Sequence, residues 1–313
     1  RAWFTQAPLN RATQRVVGAR LFRDGLYILT SAGVLQALDA ETGVERWSVR
    51  LGKGILPAYG PTVNQTTKQD QDGNVTELIK VGVVTGSTIH VLRADTGAEI
   101  LTHQSGGAPA TAPAITGTHA FVPVVSGRLV GQPIDQVKGL SIVVASPGAL
   151  IEEPILSANR VIWSTARGHL YGADSKTGVP AYRFDATAPL SGPPSLSDES
   201  MYFATTTGSV YGMSAEKARP LWKNSVGVGV HKPVVALGDA VYVATDTPTL
   251  YAFDANDGAE LWRVEGLGEV VSASEKHLYA VNPNGALGVL DRVSGKPLKS
   301  WPAAGGLTPV VNT

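Results

Sequence analysis

The sequence predicts an all-β fold built from repeats, and three observations support this. Glycine and proline are abundant, at 35 and 20 of the 313 residues, while charged residues make up only 17%. This composition favours short strands joined by many turns over long solvated helices. Runs such as residues 241–245, VYVAT, consist largely of the β-branched and aromatic residues that strands prefer. The third observation is a pattern that recurs roughly every 40 residues, the period of repeat architectures.

The repeat is clearest in PVVALGDAVYVATDTPTLYAFDANDGAELW, which ends at Trp262, and in ARLFRDGLYILTSAGVLQALDAETGVERW, which ends at Trp47. Its Asp-x-x-x-Gly motif supplies a side chain that can bond the backbone ahead of it and a glycine that tolerates a positive φ. The motif therefore predicts a tight hairpin turn. The residue at the end of the third strand marks seven copies, at Asp39, Asp95, Asp135, Asp174, Ser214, Asp254 and Asp291.

Four antiparallel strands in each copy predict the blades of a β-propeller. We expect one propeller domain over residues 1–313, with repeats ending near residues 50, 104, 145, 184, 223, 263 and 302. Tryptophans recur near the outer strands, and we predict that they pack one blade against its neighbour, each indole N–H then needing an acceptor. They are Trp47, Trp222, Trp262 and Trp301.

The two chain ends carry a further prediction about the number of blades. RAWFTQ at the amino end resembles a fourth strand, and GGLTPVVNT at the carboxyl end resembles a first strand. We expect seven complete repeats plus a partial eighth formed by both ends. A ring of seven blades with loose terminal strands, and one of eight whose last strands lie beyond this sequence, both stay open.

The motifs LYAFDANDGAELW, LQALDAETGVERW and VLDRVSGKPLKSW resemble the pyrroloquinoline quinone (PQQ) repeat. That repeat occurs in quinoprotein alcohol dehydrogenases and in the outer-membrane assembly lipoprotein BamB, and the resemblance extends from about Val16 to Trp301. The dehydrogenases place their quinone next to a vicinal disulfide and bind a calcium or related ion, whereas this chain has no cysteine. The resemblance therefore implies a BamB-like protein with no cofactor, no metal and no catalytic residues.

Charge and hydropathy restrict the partners. Lysine plus arginine equals aspartate plus glutamate, at 26 each, so no net field attracts nucleic acid or an anionic membrane. No apolar run approaches the roughly 18 residues of a membrane-spanning helix. We expect protein partners in an envelope complex and no small-molecule ligand. The resemblance implies a periplasmic or extracellular location, with an outer-membrane anchor outside this chain as an option. The missing initial methionine fits either removal of a targeting segment or experimental trimming of the chain.

Two departures from the repeat are candidate binding surfaces. The second copy contains an insertion at residues 64–78, whose Asp-Gly pair predicts the tip of an elongated hairpin, and which is either functional or disordered. The third copy has lost its tryptophan, so its outer edge is either open to strand addition or an ordinary product of repeat decay. The partner-binding candidates are Asn64, Lys68, Asp70, Asp72, Asn74, Glu77, Lys138, Glu152 and Glu153.

We interpret the chain as a non-catalytic protein-binding scaffold of the cell envelope. The competing hypothesis is a PQQ-dependent or sugar-processing enzyme that uses the central funnel. Glu152 and Glu153 offer two adjacent carboxylates, but neighbouring strand residues point to opposite faces, which favours solvated charges over an acid–base pair.

Overall fold

In the computed structural model, which describes residues 7, 9–10, 12–52, 56–69, 75–134 and 139–302, every helix or strand present is a β-strand. The strands form seven four-stranded sheets, one for each predicted repeat, and the pairings are antiparallel. The predicted all-β fold with four-stranded antiparallel repeats is confirmed. The partial eighth repeat was predicted from the chain ends, most of which lie outside the described residues.

The first three sheets contain β1 to β12, and neighbouring strands in each sheet are consecutive in the chain. Their bounds are β1 Val16–Phe22, β2 Gly25–Thr30, β3 Val34–Asp39, β4 Glu45–Arg50, β5 Ala58–Gln69, β6 Val75–Thr85, β7 Thr88–Arg93, β8 Glu99–Gln104, β9 Ala114–Ile115, β10 His119–Val124, β11 Arg128–Pro133 and β12 Ile142–Ala145.

The remaining four sheets contain β13 to β28 with the same order. Their bounds are β13 Ile155–Ser157, β14 Arg160–Ser164, β15 His169–Asp174, β16 Pro180–Asp185, β17 Ser195–Ser197, β18 Ser200–Ala204, β19 Ser209–Ser214, β20 Pro220–Ser225, β21 Val235–Leu237, β22 Ala240–Ala244, β23 Thr249–Asp254, β24 Glu260–Glu265, β25 Glu269–Ala273, β26 His277–Val281, β27 Leu287–Asp291 and β28 Pro297–Trp301.

Burial differs between the strands of a sheet. The second strands β10 and β22 are buried at every residue, because both faces of these strands are covered, and they are accordingly nearly continuous apolar runs. The fourth strands β4, β20 and β24 alternate, and in each the third residue, a tryptophan, is buried between exposed neighbours. The alternation follows from the period of two along a strand.

The predicted Asp-x-x-x-Gly turn is present, and the hydrogen bonds of the fourth repeat show how its aspartate and glycine stabilise it. Asp174 Oδ1 accepts the backbone N–H groups of Lys176 at 3.0 Å and Thr177 at 2.8 Å. Gly178 closes the turn at a φ of +73°, a conformation that side chains disfavour. The hydrogen bonds from Thr177 hold the pKa of Asp174 below its usual value.

The turn hydrogen bonds correct the alignment of the second repeat. Gly43 donates its N–H to the Asp39 carbonyl at 2.8 Å, and Gly97 donates to the Arg93 carbonyl at 2.9 Å. Arg93 is therefore the equivalent of Asp39, and Asp95 lies two residues late. Asp95 misled the alignment because it is the first aspartate after the turn position, which Arg93 occupies.

The third repeat needs the same correction. The Ile134 N–H donates to the Thr118 carbonyl at 2.8 Å, as the Ala40 N–H donates to the Asp24 carbonyl at 2.8 Å in the first repeat. Pro133 is therefore the equivalent of the turn aspartate. The marker Asp135 was placed two residues late and itself lies outside the described residues.

The insertion in the second repeat extends a hairpin. Strands β5 and β6 pair from Ala58 with Thr85 to Gln69 with Val75, so the arms of the insertion continue the sheet. The predicted elongated hairpin is confirmed for these described arms. Its tip, residues 70–74, lies outside the described residues.

Contacts divide the chain into two compact units, Arg1–Val161 with Asp174–Pro180, and Ile162–Ala173 with Ala181–Thr313. In the first unit, Trp47, Val81 and Leu92 belong to one buried cluster that joins the first two sheets. In the second unit, Trp222 and Phe253 belong to a buried cluster that joins the fifth and sixth sheets. The expectation of a single domain over residues 1–313 stays a prediction.

Candidate functional site

Three tryptophans of the fourth strands contact the following sheet in the same way. We call their place in the repeat the wedge position. Each indole donates its N–H to a backbone carbonyl of the next repeat's turn, which supplies the acceptor that a buried indole requires. The pairs are Trp47 with Ala94 at 2.9 Å, Trp222 with Ala255 at 2.9 Å and Trp262 with Arg292 at 3.0 Å.

The indole at the wedge position packs directly on the turn glycine of the next repeat. A Cβ added to Gly97 would lie 2.8 Å from the Trp47 ring, and one added to Gly258 would lie 2.5 Å from the Trp222 ring. In the fourth repeat Tyr182 occupies the wedge position and donates its hydroxyl to the Ala215 carbonyl at 2.9 Å. The turn residue that faces it in sequence register is Ala218, so a smaller ring accompanies a larger turn residue.

Trp301 differs from the other three predicted packing residues. In β24 Trp262 pairs with Ala252, whereas in β28 the equivalent partner, Val289, faces Lys299. Trp301 stands two residues beyond this position, is 41% exposed, and has the Lys299 ammonium 4.7 Å from its ring centroid. The last turn has the same length as that of the sixth repeat, so Lys299 occupies the wedge position and Trp301 lies outside it.

The third repeat carries Ile142 at the wedge position. Gly131 of β11 pairs with Ile142 of β12, in the same register in which Ala252 pairs with Trp262 in the sixth repeat. Ile142 also contacts Gly178, the turn glycine of the fourth repeat. Ile142 covers Gly178 directly, since a Cβ added to this glycine would clash with the Ile142 Cγ2 atom. A cavity of roughly 800 Å³ opens beside this contact, and we call it the third-repeat groove. Its walls include His119, Leu140, Ile142, Lys176, Thr177 and Gly178.

The third-repeat groove has a fixed polar wall and an exposed apolar rim. His119 is buried, with its Nδ1 3.0 Å from Thr118 Oγ1 and its Nε2 3.1 Å from the Leu140 carbonyl. Leu140 is 84% exposed and Val143 is 56% exposed, both large values for apolar side chains. An exposed apolar patch beside a preformed cavity is a feature of binding sites.

The root of the long hairpin is tied to the third repeat by hydrogen bonds from three side chains. Thr62 Oγ1 donates to the Pro113 carbonyl at 2.7 Å and Asn64 Nδ2 donates to the Ile115 carbonyl at 2.6 Å. The buried Lys80 ammonium donates to the Gly117 carbonyl at 3.2 Å, and burial lowers the pKa of Lys80. These bonds hold the described arms of the insertion against β9 and the loop after it.

A second cavity, of roughly 350 Å³, lies beside this root, and we call it the hairpin cavity. Its walls come from the hairpin arm, from the loop before β10 and from the fourth repeat. Gly117, Thr118 and Lys176 line both this cavity and the third-repeat groove, so the two form one continuous surface. Lys176 is the one charged residue in the described lining of either.

The predicted partner-binding residues are dispersed. Asn64 lines the hairpin cavity, and Glu77 is exposed and forms an ion pair with Arg23 at 3.3 Å. Lys68 lies on β5, and the structure describes only its backbone. Asp70, Asp72, Asn74 and Lys138 lie outside the described residues. Sequence reasoning missed His119, Ile142 and Lys176, because strand register and packing between sheets bring them together.

Glu152 and Glu153 lie at a separate, polar cavity of roughly 280 Å³, lined also by the first strands of the first two repeats. Glu153 Oε2 forms an ion pair with Arg20 at 3.0 Å, and the two side chains are 37% and 33% exposed. Glu153 is therefore a paired charge rather than a freely solvated one. Burial raises the pKa of both carboxyl groups, the charge of Glu153 adding to the rise at Glu152 and Arg20 opposing it at Glu153.

The raised pKa of Glu152 predicts a pH-dependent stability. A carboxyl group that holds its proton more tightly when folded favours folding at low pH, and this contribution is lost as pH rises from the ordinary glutamate value of 4.5 through the raised one. We expect Glu152→Gln to make the free energy of unfolding fall less across this range. Urea denaturation from about pH 4 to pH 8 measures it, with exposed Glu265→Gln as control. A difference from wild type that is constant with pH would contradict this.

Among the described residues no three histidine, aspartate or glutamate side chains are grouped so that they could hold a metal ion. Within the same ranges, no helix is long and apolar enough to cross a membrane.

Comparisons with known proteins agree with this geometry. BamB from Moraxella catarrhalis has a crystal structure with a TM-score of 0.68 and 19% identity, covering 96% of this chain and 91% of that one. The computationally designed Ika8 protein also has a TM-score of 0.68, with 13% identity over 93% of this chain and 88% of the designed one. No curated protein sequence matches the chain significantly.

The fold and the repeated wedge position define the class as a β-propeller with PQQ-like repeats. A family model described as outer membrane protein assembly factor BamB matches residues 5–136, 143–229 and 219–309. The chain belongs to this family.

Proposed function

We propose that this protein is a non-catalytic, protein-binding scaffold of the cell envelope, a subunit of or adaptor in a larger assembly. The family membership supports the envelope assignment and a periplasmic or extracellular location. The observation that carries the binding surface is the junction of the third-repeat groove with the hairpin cavity at Gly117, Thr118 and Lys176. Two cavities on one continuous surface suit an extended partner segment better than a single small ligand.

The outer strand of the third sheet supports a particular mode of binding. Strand β12 stands at the end of its sheet and pairs with β11 alone, so one row of its backbone groups has no strand partner within that sheet. An exposed strand edge can accept an added strand, which forms main-chain hydrogen bonds and inserts alternate side chains into pockets. The groove beside Ile142 is such a pocket.

A shortened hairpin tests the proposal without disturbing its root. Gln65 and Ile79 face each other in register, so residues 66–78 can be replaced by an Asn-Gly turn that joins them directly. Ile79 is kept because it packs on the buried cluster of the first two sheets and its carbonyl accepts the Ala94 N–H at 3.0 Å. The root bonds of Thr62, Asn64 and Lys80 are retained. We expect envelope proteins captured by the wild-type chain to be recovered at least about tenfold less by this variant, as quantified by mass spectrometry of the eluates.

A matched pair of surface substitutions separates the groove from general surface effects. Leu140→Ser removes an apolar group at the groove rim, and Leu261→Ser removes one that is 48% exposed on β24. We expect only Leu140→Ser to reduce capture. If the wild type, the shortened hairpin and Leu140→Ser capture partners equally, this surface is not the binding site. Saturable binding of PQQ with calcium would instead favour the enzyme hypothesis.

A further inference from the structure

The third-repeat groove is the place where this fold would otherwise hold an indole. At three other sheet contacts an indole lies on the turn glycine and donates its N–H to the carbonyl three residues earlier. In the third repeat the glycine is Gly178, with a φ of +73°, and the carbonyl three residues earlier belongs to Ser175. The chain thus keeps the glycine and the carbonyl of the indole site, while the smaller Ile142 side chain covers Gly178 in place of the indole.

The charge around the groove indicates which charged groups a bound aromatic ligand would carry. Lys176 is exposed at the edge shared with the hairpin cavity, and the described lining residues of both cavities include no carboxylate. Lys80 adds a second ammonium group nearby, bonded to the Gly117 carbonyl. A ligand with negative charge beside an aromatic ring is therefore complementary to this surface.

The size and access of the groove fit such a ligand. Its volume of roughly 800 Å³ is within the range of sites that enclose a drug-sized molecule, so an indole fits with space for the neighbouring backbone. The groove adjoins β12, whose free edge would align an added strand. Aromatic anchors in preformed pockets are the residues that carry most of the affinity at protein interfaces.

We propose that the third-repeat groove binds a tryptophan side chain of a protein partner, next to acidic residues in the partner's sequence. The inference rests on the proposed function and names the chemistry of the partner that this scaffold takes. The partner's ring would lie against Ile142 at the edge of Gly178, and its carboxylates would lie near Lys176.

The test uses the full chain and two seven-residue peptides, acetyl-GSDWDSG-amide and acetyl-GSKWKSG-amide, with the tryptophan-to-alanine form of each. We expect the acidic tryptophan peptide to shift the Ile142 methyl resonances saturably, the basic one to bind about threefold to tenfold more weakly, and the alanine forms to leave them unchanged. Lys176→Gln should reduce the difference in affinity between the two tryptophan peptides while retaining binding, since Lys80 still carries positive charge nearby.

A variant that fills the groove provides the decisive control. Ile142→Trp restores an indole on Gly178, so we expect it to raise the Tm by a few degrees and to reduce binding of the acidic peptide at least about tenfold. If this variant binds the peptide as the wild type does, or if no peptide shifts Ile142, the inference is overturned. If indole-3-acetate binds more than about tenfold more tightly than the acidic peptide, the groove is a small-molecule site, which also overturns it.

Failure of this inference is distinguishable from failure of the proposed function. Loss of capture by the shortened hairpin with unchanged capture by Ile142→Trp would keep the scaffold function and reject the tryptophan site. Unchanged capture by every variant would reject the surface as a whole.

Discussion

Replacing Trp222 with alanine is expected to lower the free energy of unfolding by about 3–5 kcal/mol, the usual range for a buried aromatic residue. The ring is only 8% exposed and packs among Tyr202, Phe253 and Gly258 of the same compact unit. Its removal leaves a cavity between two sheets and deprives the Ala255 carbonyl of the indole N–H bond at 2.9 Å. Urea denaturation followed by intrinsic fluorescence and circular dichroism measures the loss.

The chain offers a matched control for this experiment. Trp301 is 41% exposed and stands two residues beyond the wedge position, so Trp301→Ala is expected to change stability by less than about 1 kcal/mol. Equal losses for the two substitutions would show that the wedge position has no special role. The comparison holds the substitution constant and varies only the place in the repeat.

Replacing Gly258 with alanine is expected to cost about 2–5 kcal/mol, although only one methyl group is added. Gly258 has a φ of +75°, which disfavours an L side chain by about 1–2 kcal/mol. The new Cβ would also lie 2.5 Å from the Trp222 ring, and overpacking of this kind adds about 1–3 kcal/mol. The ring and the turn must separate, which weakens the contact between two sheets.

Gly227→Ala separates the two causes. Gly227 has a φ of +73° and no heavy atom within 4 Å of an added Cβ, so this substitution carries the backbone cost alone. We expect it to destabilise the protein by only about 1–2 kcal/mol, as measured by the same denaturation. Trp222→Tyr combined with Gly258→Ala should recover part of the loss, since Tyr182 and Ala218 form that combination in the chain. An additive double variant would contradict the proposed contact.

Much of the fold could be predicted because its signals are local. The alternation in β24, the buried run of β22 and the Asp-x-x-x-Gly turn at Asp174 each depend on a few neighbouring residues. The long hairpin was also predicted, since an insertion with a turn signal continues the pairing of its strands. Register was harder, and Asp95 was mistaken for a turn residue that the hydrogen bonds assign to Arg93.

The candidate site was only partly predictable. The third repeat was recognised as having lost its tryptophan, and Asn64 was named as part of the insertion, but neither observation showed which residues meet. Ile142 is an unremarkable strand residue until Gly131 is seen opposite it and Gly178 beneath it. Lys176 lies in the turn of another repeat, and its place beside Gly117 follows from packing between sheets.

The sequence by itself determined the repeat, its strands and turns, and the family, because each depends on composition and on spacing within about 40 residues. Only the tertiary structure decided that Glu153 pairs with Arg20, that Trp301 stands outside the wedge position, and that a groove lies beside Ile142. The physical reason is that the side chain at the wedge position packs against the following sheet, which belongs to another repeat. Whether its ring is buried, and what remains when it is absent, depends on the register of two strands and on a turn from the next repeat.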